Sequence, residues 1–418
     1  MRDRDLYAQI LGIESPWQVR DVELHLNEGE VVVHVDLEPG AQLTCPHCGK
    51  PVSRYDKRTR QWRHLDTCQY RTVLSAEVPR INCPEHGVSL ITVPWAEPSS
   101  RYTALFEALV IDWLKEAPAS AVSRQLGLSW TAIDGIMQRA VRRGLERRQT
   151  HERHAHLCVD ETAFRKRHDY VTVVTDRESG QVIHVGEDRK KETLEAFYAG
   201  LDETQKSSIE SVSMDMWPAY IQATLASIPD AAQKIAFDKF HVAKALGEAV
   251  DKVRRQEHKA LLREGNTLLK GSKHAWLTNP ANMSRKQWCD FAALRTANLK
   301  TARAWAIKEQ GMSLWHYVHR TWAEKGWKRW YDWAIRSRLE PVKKVARMVK
   351  THLWGILNAI ILKASNGLAE STNSRIQLLK VRSRGFRNKS RFRTAIYFHL
   401  GGLDLYPGTA RALRTHMN

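Results

Sequence analysis

An α/β fold in several parts is predicted by three features of the 418-residue sequence. Two short cysteine-containing knuckles sit in a β-patterned N-terminal stretch. Apolar runs of five or six residues, interleaved with helix-like segments, fill His156–Ala243. A helical stretch rich in Ala, Lys, Arg and Trp then runs from Lys244 to about Lys363. These changes of pattern divide the chain into segments 1–98, 99–152, 153–243, 244–363 and 364–418. A hydrophobic content of 43% is enough for packed cores and excludes a wholly disordered chain. The 65 Lys and Arg against 46 Asp and Glu leave +19, the balance of a protein that meets a polyanion. Nucleic acid is the expected partner rather than membrane, because no apolar run approaches the roughly 20 residues that cross a bilayer. The charged first ten residues lack the apolar stretch of a secretory signal. Six Cys are too few for a disulfide scaffold, which points to a reducing cytoplasm with thiolates available to metal.

The first elements are two alternating strands, Val22–Asn27 and Glu30–Glu38, turning at Asn27-Glu28-Gly29. Beyond them, Cys45-x-x-Cys48 and Cys83-x-x-His86 offer four soft or borderline donors, a closed tetrahedral set for one structural Zn²⁺. Cys68, His47 and His64 are spare donors, and two unrelated pairs of side chains are the plainer alternative. Lys50, Arg54, Lys57, Arg58, Arg60 and Arg63 lie between the pairs as candidate phosphate contacts.

From Tyr102 to Arg148 the period turns helical. Val122, Leu126, Leu128, Ile133 and Ile136 suit two helices packed across a turn at Gly127, with Ser129 capping the second. In a helix-turn-helix that second helix presents Trp130, Thr131, Asp134 and Gln138 to a major groove. Arg142 and Arg143, in the basic run after Gln138, extend the expected DNA surface. An ordinary helical hairpin is the alternative.

Residues 156–243 read as strand, strand, strand, helix, strand, helix, strand. The first links are short enough for hairpins, one turning at Asp176–Gly180; the helical links demand parallel neighbours. An RNase H-like nuclease core needs this order, with one Asp in its first strand beside another at the end of its fourth. Asp160 and Asp215 hold those places, and Glu370, one turn beyond Asn366-Gly367, is the third carboxylate. Near a helix N-terminus its anion is favoured. Three hard oxygen donors suit two Mg²⁺ (or Mn²⁺) ions, which in such sites lie roughly 3.5–4 Å apart and clamp the oxygens of a phosphoryl displacement. Asp238 and His241 follow the last strand; His241 is placed to contact a phosphate or steady a carboxylate, and a helix-capping Asp238 is the alternative. Glu370, Asn373, Gln377 and Lys380 share one helical face. Lys380, Arg382, Arg384, Arg387, Lys389 and Arg391 then form a basic track, in a last segment, Ser371–Asn418, with ten Lys or Arg and one acid.

At these residues the chain resembles the bacterial insertion-sequence transposases of the DDE type, most closely the ISL3 family. The resemblance spans nearly the whole chain. It covers both zinc pairs, the helix-turn-helix, Val159-Asp160-Glu161, Asp215-Met216 with Tyr220, Phe237–Val242, and Ser365-Asn-Gly-x-x-Glu370-x-x-Asn373. It departs at His86, where many relatives use Cys. The resemblance implies an RNase H-like core interrupted by an all-helical insertion, with Asp160, Asp215 and Glu370 as catalytic triad. It implies Mg²⁺-dependent cleavage at the terminal inverted repeats of its own element and joining to target DNA. With it come double-stranded DNA contacts by Asn373 and the basic track, a homodimer in the synaptic complex, and residence in the bacterial cytoplasm at the nucleoid. The rivals are a DNA-binding regulator without catalysis and an RNase H-like nuclease or resolvase that cuts without joining.

Overall fold

Residues 3–148, 152–165, 169–297, 299–364 and 367–408 are described by a computed structural model, and by contact they fall into two units. One unit holds the chain up to Arg148 with residues 382–386 and the stretch from Tyr397; the other runs to Val381 and includes 387–396.

The first unit contains α1 (Asp3–Leu11), β1 (Trp17–His25), β2 (Glu30–Leu37), β3 (Arg54–Arg63), β4 (Arg71–Cys83) and β5 (Gly87–Leu90). Three helices follow: α2 (Ala104–Glu116), α3 (Ala119–Leu126) and α4 (Trp130–Arg147). The β1–β2 hairpin turns where expected, with Gly29 at φ +64. The sheet order is β1-β2-β4-β3, with β5 on β4. Val33, Val35 and Leu74 pack against Trp17, Trp62 and Trp95, whose rings meet edge to face at 4.9 and 5.5 Å. This lobe therefore has its own apolar core, and the Cys45/Cys83 cluster is a smaller one beside it.

The end of the chain corrects an expectation. Segment 364–418, expected as the last part of the catalytic core with a basic C-terminal tail, is divided between the two units, with 382–386 and the stretch from Tyr397 in the first. Arg147 pairs with Asp404 at 3.1 Å, the Tyr406 hydroxyl donates to Asp112 at 2.6 Å, and a Cβ on Gly144 would lie 2.6 Å from Leu403 Cβ. Residues 403–406 thus pack on α2 and α4. Residues beyond 408, with Arg411 and Arg414, lie outside the described residues, as do Ser365 and Asn366.

The second unit opens with β6 (His156–Arg165), β7 (Asp169–Asp176), β8 (Val182–Gly186), α5 (Lys191–Ala199), α6 (Glu203–Ser208) and β9 (Ser211–Met214). Next come α7 (Pro218–Ser227), α8 (Ala231–Lys234), β10 (Ile235–Phe237), α9 (Lys239–Arg263), α10 (Lys273–Leu277) and α11 (Arg285–Thr296). It ends with α12 (Lys300–Ser313), α13 (Arg320–Arg336), α14 (Glu340–Ile361), α15 (Gly367–Arg382) and α16 (Lys389–Leu400). The sheet order is β10-β9-β6-β7-β8: β6, β7 and β8 form antiparallel hairpins, while β9 and β10 run parallel to β6.

The Trp-rich stretch is not a separate helical unit. Trp276, Trp327 and Trp330 are fully buried in the same cluster as Val159, Met214 and Phe237 of the sheet. Only Trp322 and Trp333 of that stretch are largely exposed. Asn358 of α14 donates to the Ala232 and Ile235 carbonyls at 2.9 and 2.8 Å, and Gly355 lets the same helix close on the Phe237 ring, 2.4 Å from where a Cβ would stand. These contacts fix the end of β10, and with it Asp238. No helix among the described residues is long and apolar enough to cross a membrane.

Candidate active site, metal centre and DNA-binding elements

Strand register assembles the acids. Val159 of β6 lies opposite Met214 of β9, and Met214 opposite Phe237 of β10. The next residue on each strand is Asp160, Asp215 or Asp238, so three carboxylates stand on adjacent parallel strands, which lie about 4.8 Å apart. Burial, then the Asp215 charge, pushes the Asp160 carboxyl up to about 7. His241, in the first turn of α9, has Nδ1 2.8 Å from Asp215 Oδ1 and 3.3 Å from Asp238 Oδ2. Hydrogen bonding to Asp215 and Asp238 pushes the imidazole up to about 10, so it is a cation at neutral pH. Its Nδ1–H aligns with Asp238, leaving buried Asp215 Oδ1 without a donor in line. Asp238 itself is only 4% exposed and makes no side-chain cap to α9.

Helix α15 brings in Glu370. Its carboxyl is raised by desolvation and then by the Asp238 charge, with His241 opposing, which ties it electrostatically to this cluster. The face expected from spacing is real, but its use differs from expectation at two positions. Asn373 Nδ2 donates to Asp160 Oδ2 at 2.7 Å, Gln377 Nε2 to Thr162 Oγ1 at 3.2 Å, and Lys380 Nζ to the Ala163 carbonyl at 2.7 Å. Asn373 and Lys380, expected on DNA, are here bonded to β6 and clamp α15 along the strand that holds Asp160. An Asp215 oxygen that shares His241 with Asp238, beside a carboxyl that resists ionisation, belongs to a donor set that a hard divalent cation fits.

Sequence reasoning missed Arg189, which reaches both Glu161 oxygens at 3.2 and 3.3 Å and lies 4.5 and 4.6 Å from the Tyr170 and Trp217 ring centroids. Its three partners come from three separate segments, and no local pattern joins them. Tyr220 is buried behind the acids, its hydroxyl 2.8 Å from Thr172 Oγ1.

In the other unit, the donor atoms of Cys45, Cys48, Cys83 and His86 lie within 4.8 Å of one another. The Cys48–Cys83 sulfur separation is 3.8 Å and Cys83 Sγ to His86 Nδ1 is 3.6 Å. A Zn–S bond of about 2.3 Å gives tetrahedral edges of about 3.8 Å, so the set fits zinc. Gly49 and Gly87, both at φ +70, close the two knuckles. Although burial opposes it, backbone hydrogen bonds from Cys48 and His47 bring the Cys45 thiol down to about 7, toward the thiolate a metal takes. The spare donors are elsewhere engaged: His64 is buried on Thr103 at 2.8 Å, Cys68 is exposed, and His47 stacks on the His86 ring at 5.2 Å. Lys50, Lys57 and Arg63 are ion-paired to Glu85, Glu77 and Asp66, while Arg54 and Arg58 are exposed.

The helical hairpin forms where its signals stand. Gly127 adopts φ +63 after α3, and the Ser129 hydroxyl accepts from the Ala132 N–H at 3.2 Å to cap α4. Val122, Ile133 and Ile136 are buried between the helices. Trp130 and Thr131 are exposed, and Gln138 Nε2 donates to Asp134 at 3.0 Å. Arg142 is exposed, 3.7 Å from Glu146. Arg143 must be corrected. Its side chain is 7% exposed and is held by Glu97 at 2.6 and 2.8 Å and Glu107 at 3.2 Å, so its charge is spent inside the protein. Arg382 donates to the Glu116 carbonyl at 2.6 Å, Lys389 pairs with Asp169 at 2.7 Å, and Arg391 is half-buried. Arg384 and Arg387 are exposed.

A β-strand-and-helix unit with aligned acids, in one chain with a unit holding a cysteine–histidine cluster and a helix-turn-helix, is the constitution of a DDE transposase. Domain families agree along the chain: one described as "Transposase" matches residues 157–396, the "Helix-turn-helix domain of transposase family ISL3" matches 91–141, and the "zinc-finger of transposase IS204/IS1001/IS1096/IS1165" matches 41–86. The chain belongs to the ISL3 family of transposases. It is 30% identical over 421 residues to the transposase for insertion sequence element IS1557 of Mycobacterium tuberculosis, covering 93% of each chain. It is 29% identical over 417 residues to the transposase for IS1001 of Bordetella parapertussis, covering 98% of this chain and all of that one.

Proposed function

We propose that the protein binds the terminal inverted repeats of its insertion sequence and, with Mg²⁺, cuts and joins DNA in an RNase H-like core through Asp160, Asp215 and Glu370. The register that aligns Val159, Met214 and Phe237 is the observation that carries this reading, because it puts carboxylates side by side at one end of the sheet. Asp160, Asp215 and Glu370 hold the metal pair, which when bound supplies Lewis-acid activation of a phosphodiester and of its attacking oxygen. Asn373 orients Asp160 through its 2.7 Å bond, and the buried Asp238 holds cationic His241 against Asp215. Water is the nucleophile for cleavage and the freed 3′-hydroxyl for joining, so one site serves both phosphoryl transfers. Exposed Trp130, Thr131 and Arg142 on α4 read and grip the repeat, and the zinc lobe extends the contact. Two ends need two active sites, hence a homodimer in the synaptic complex, at work in the bacterial cytoplasm.

Incubating the protein with end DNA and Mg²⁺ tests this. Asp160→Asn abolishes cleavage and retains end binding; unchanged cleavage by that variant refutes the assignment. Hydrolysis without any strand-transfer product favours a nuclease or resolvase instead.

A further inference from the structure

A groove of about 870 Å³ runs between α9, α10 and α12, and nothing in the catalytic reading uses it. Lys239 opens it, one residue after Asp238 and two before His241, and Arg255 lies at its far end. At 1.5 Å per helical residue that wall of α9 is about 24 Å long. A duplex rises about 3.4 Å along its axis for each phosphate of one strand, so the wall spans roughly seven base-pair steps. This length suits a polymer rather than a small metabolite.

The charge along the wall is uneven. Asp251 is shared by Arg254 and Arg255, and Lys308 by Glu309 and the Trp276 carbonyl. Lys239, Lys244, Lys252 and Lys273 have no carboxylate at ion-pair distance among the described residues, and Lys244, Lys252 and Lys273 are exposed, as is the lining acid Glu248, so the lining carries six Lys or Arg against three acids. Ala243, Gly247, Leu277 and Met312 supply a smooth floor. Gly247 stands in mid-helix, where glycine weakens a helix relative to alanine. Packing does not require it: a Cβ there would meet only Leu277 Cδ2, at an ordinary 3.8 Å. No Phe, Tyr or Trp stands among the described lining residues, which disfavours unstacked single-stranded bases.

We infer that this groove binds the phosphate backbone of a DNA duplex without reading its sequence, and so serves DNA outside the terminal repeats, flank or target. The inference rests on the transposase reading for the presence of such DNA, but its measurement needs no chemistry. Binding of a random-sequence duplex to the full chain is followed over a series of salt concentrations. Replacing Lys244, Lys252 and Lys273 together by Gln makes the slope of log affinity against log salt shallower by about 2–3 and lowers low-salt affinity at least about tenfold. Gly247→Glu, which changes no lysine, also weakens random-duplex binding, while Gly247→Ala leaves it unchanged and serves as the folding control. Each single Lys→Gln change moves the slope by about 1 and replaces the triple variant if that one unfolds. Unchanged slope and affinity in the lysine variants, or no binding of random duplex by the wild type, overturns the inference. A wild type that binds random duplex through these lysines but never cuts or joins end DNA defeats the transposase reading instead.

Discussion

The buried charges around α4 and those at the ends of β6, β9 and β10 are arranged in opposite ways. Around α4, Glu107 is 1% exposed and meets both Arg139 and Arg143, and Glu97 takes Arg143 from the other side. Both of these acids face a guanidinium. At the strand ends, Asp160, Asp215 and Asp238 crowd together; His241, 2.8 and 3.3 Å from Asp215 and Asp238, is shared between those two, and Asp160 resists ionisation. Full mutual satisfaction marks a structural network, and buried like charges left in conflict mark a site awaiting something from outside.

The largest test of this contrast is Arg143→Ala. Removing one partner leaves Glu107 and Glu97 partly uncompensated in a buried setting, a loss on the order of 3–5 kcal/mol. Thermal unfolding should drop sharply, with DNA affinity per folded molecule preserved. Arg142→Ala, on the exposed side, should show the reverse: native stability and weaker DNA binding. A stable Arg143→Ala protein that has lost DNA affinity would return Arg143 to the duplex and break the comparison.

That mistaken assignment shows what the sequence does and does not disclose. Gly127, Ser129 and the apolar set Val122, Ile133 and Ile136 are local signals separated by a few residues, and the hairpin forms at those positions. The strand order around Asp160 and Asp215 was likewise legible, because hairpin and crossover lengths are written in the chain. A run of arginines looks the same whether it faces phosphate or acid. Arg143 is decided by Glu97 and Glu107, which lie 46 and 36 residues away. Strand β3 was missed because six of its ten residues, Arg54 to Arg63, are charged and Trp62 is its one fully buried side chain. The tryptophans announced a core but not whose, and Trp276, Trp327 and Trp330 share theirs with the sheet.

The second test concerns the unsatisfied side. The Asp160 carboxyl sits at about 7 when folded against an ordinary 3.8. Between about pH 4 and 7 the folded state therefore holds a proton that the unfolded chain has released, so this group's contribution falls as pH rises through that window. Above pH 7 the cost is complete, up to about 4 kcal/mol. His241 acts elsewhere on the scale: its folded value near 10 contributes stability that is full below about 6.5 and lost only as pH rises through 10. Metal-free Asp160→Asn should thus melt higher than wild type at pH 8, with the gap closing toward pH 4. Mg²⁺ should then raise the melting temperature of wild type and leave the variant where it is. A wild type more stable than the variant at pH 8 without metal would mean that Asp160 is not under the strain the geometry implies.

The smallest expected effect sharpens the comparison most, because it asks whether the conflicted site is nonetheless held in place. Asn373 donates to Asp160 Oδ2 and, more weakly at 3.4 Å, to the Glu161 carbonyl, while Gln377 and Lys380 fasten the same helix to the next residues of β6. Asn373→Ala keeps the two outer fastenings, so the fold survives and only the orientation of Asp160 loosens. Loss of an orienting partner to a metal-ligating group typically costs 10–100-fold in metal affinity or activity. The expected result is a cleavage rate that falls by that factor and recovers in part at higher Mg²⁺, with end binding and melting temperature nearly unchanged. Asn373→Gln, one methylene longer, should not restore it, since the 2.7 Å bond depends on the short reach. A variant that binds DNA poorly but cleaves normally once bound would instead place Asn373 on the duplex, and the clamp along β6 would then reduce to Gln377 and Lys380 alone.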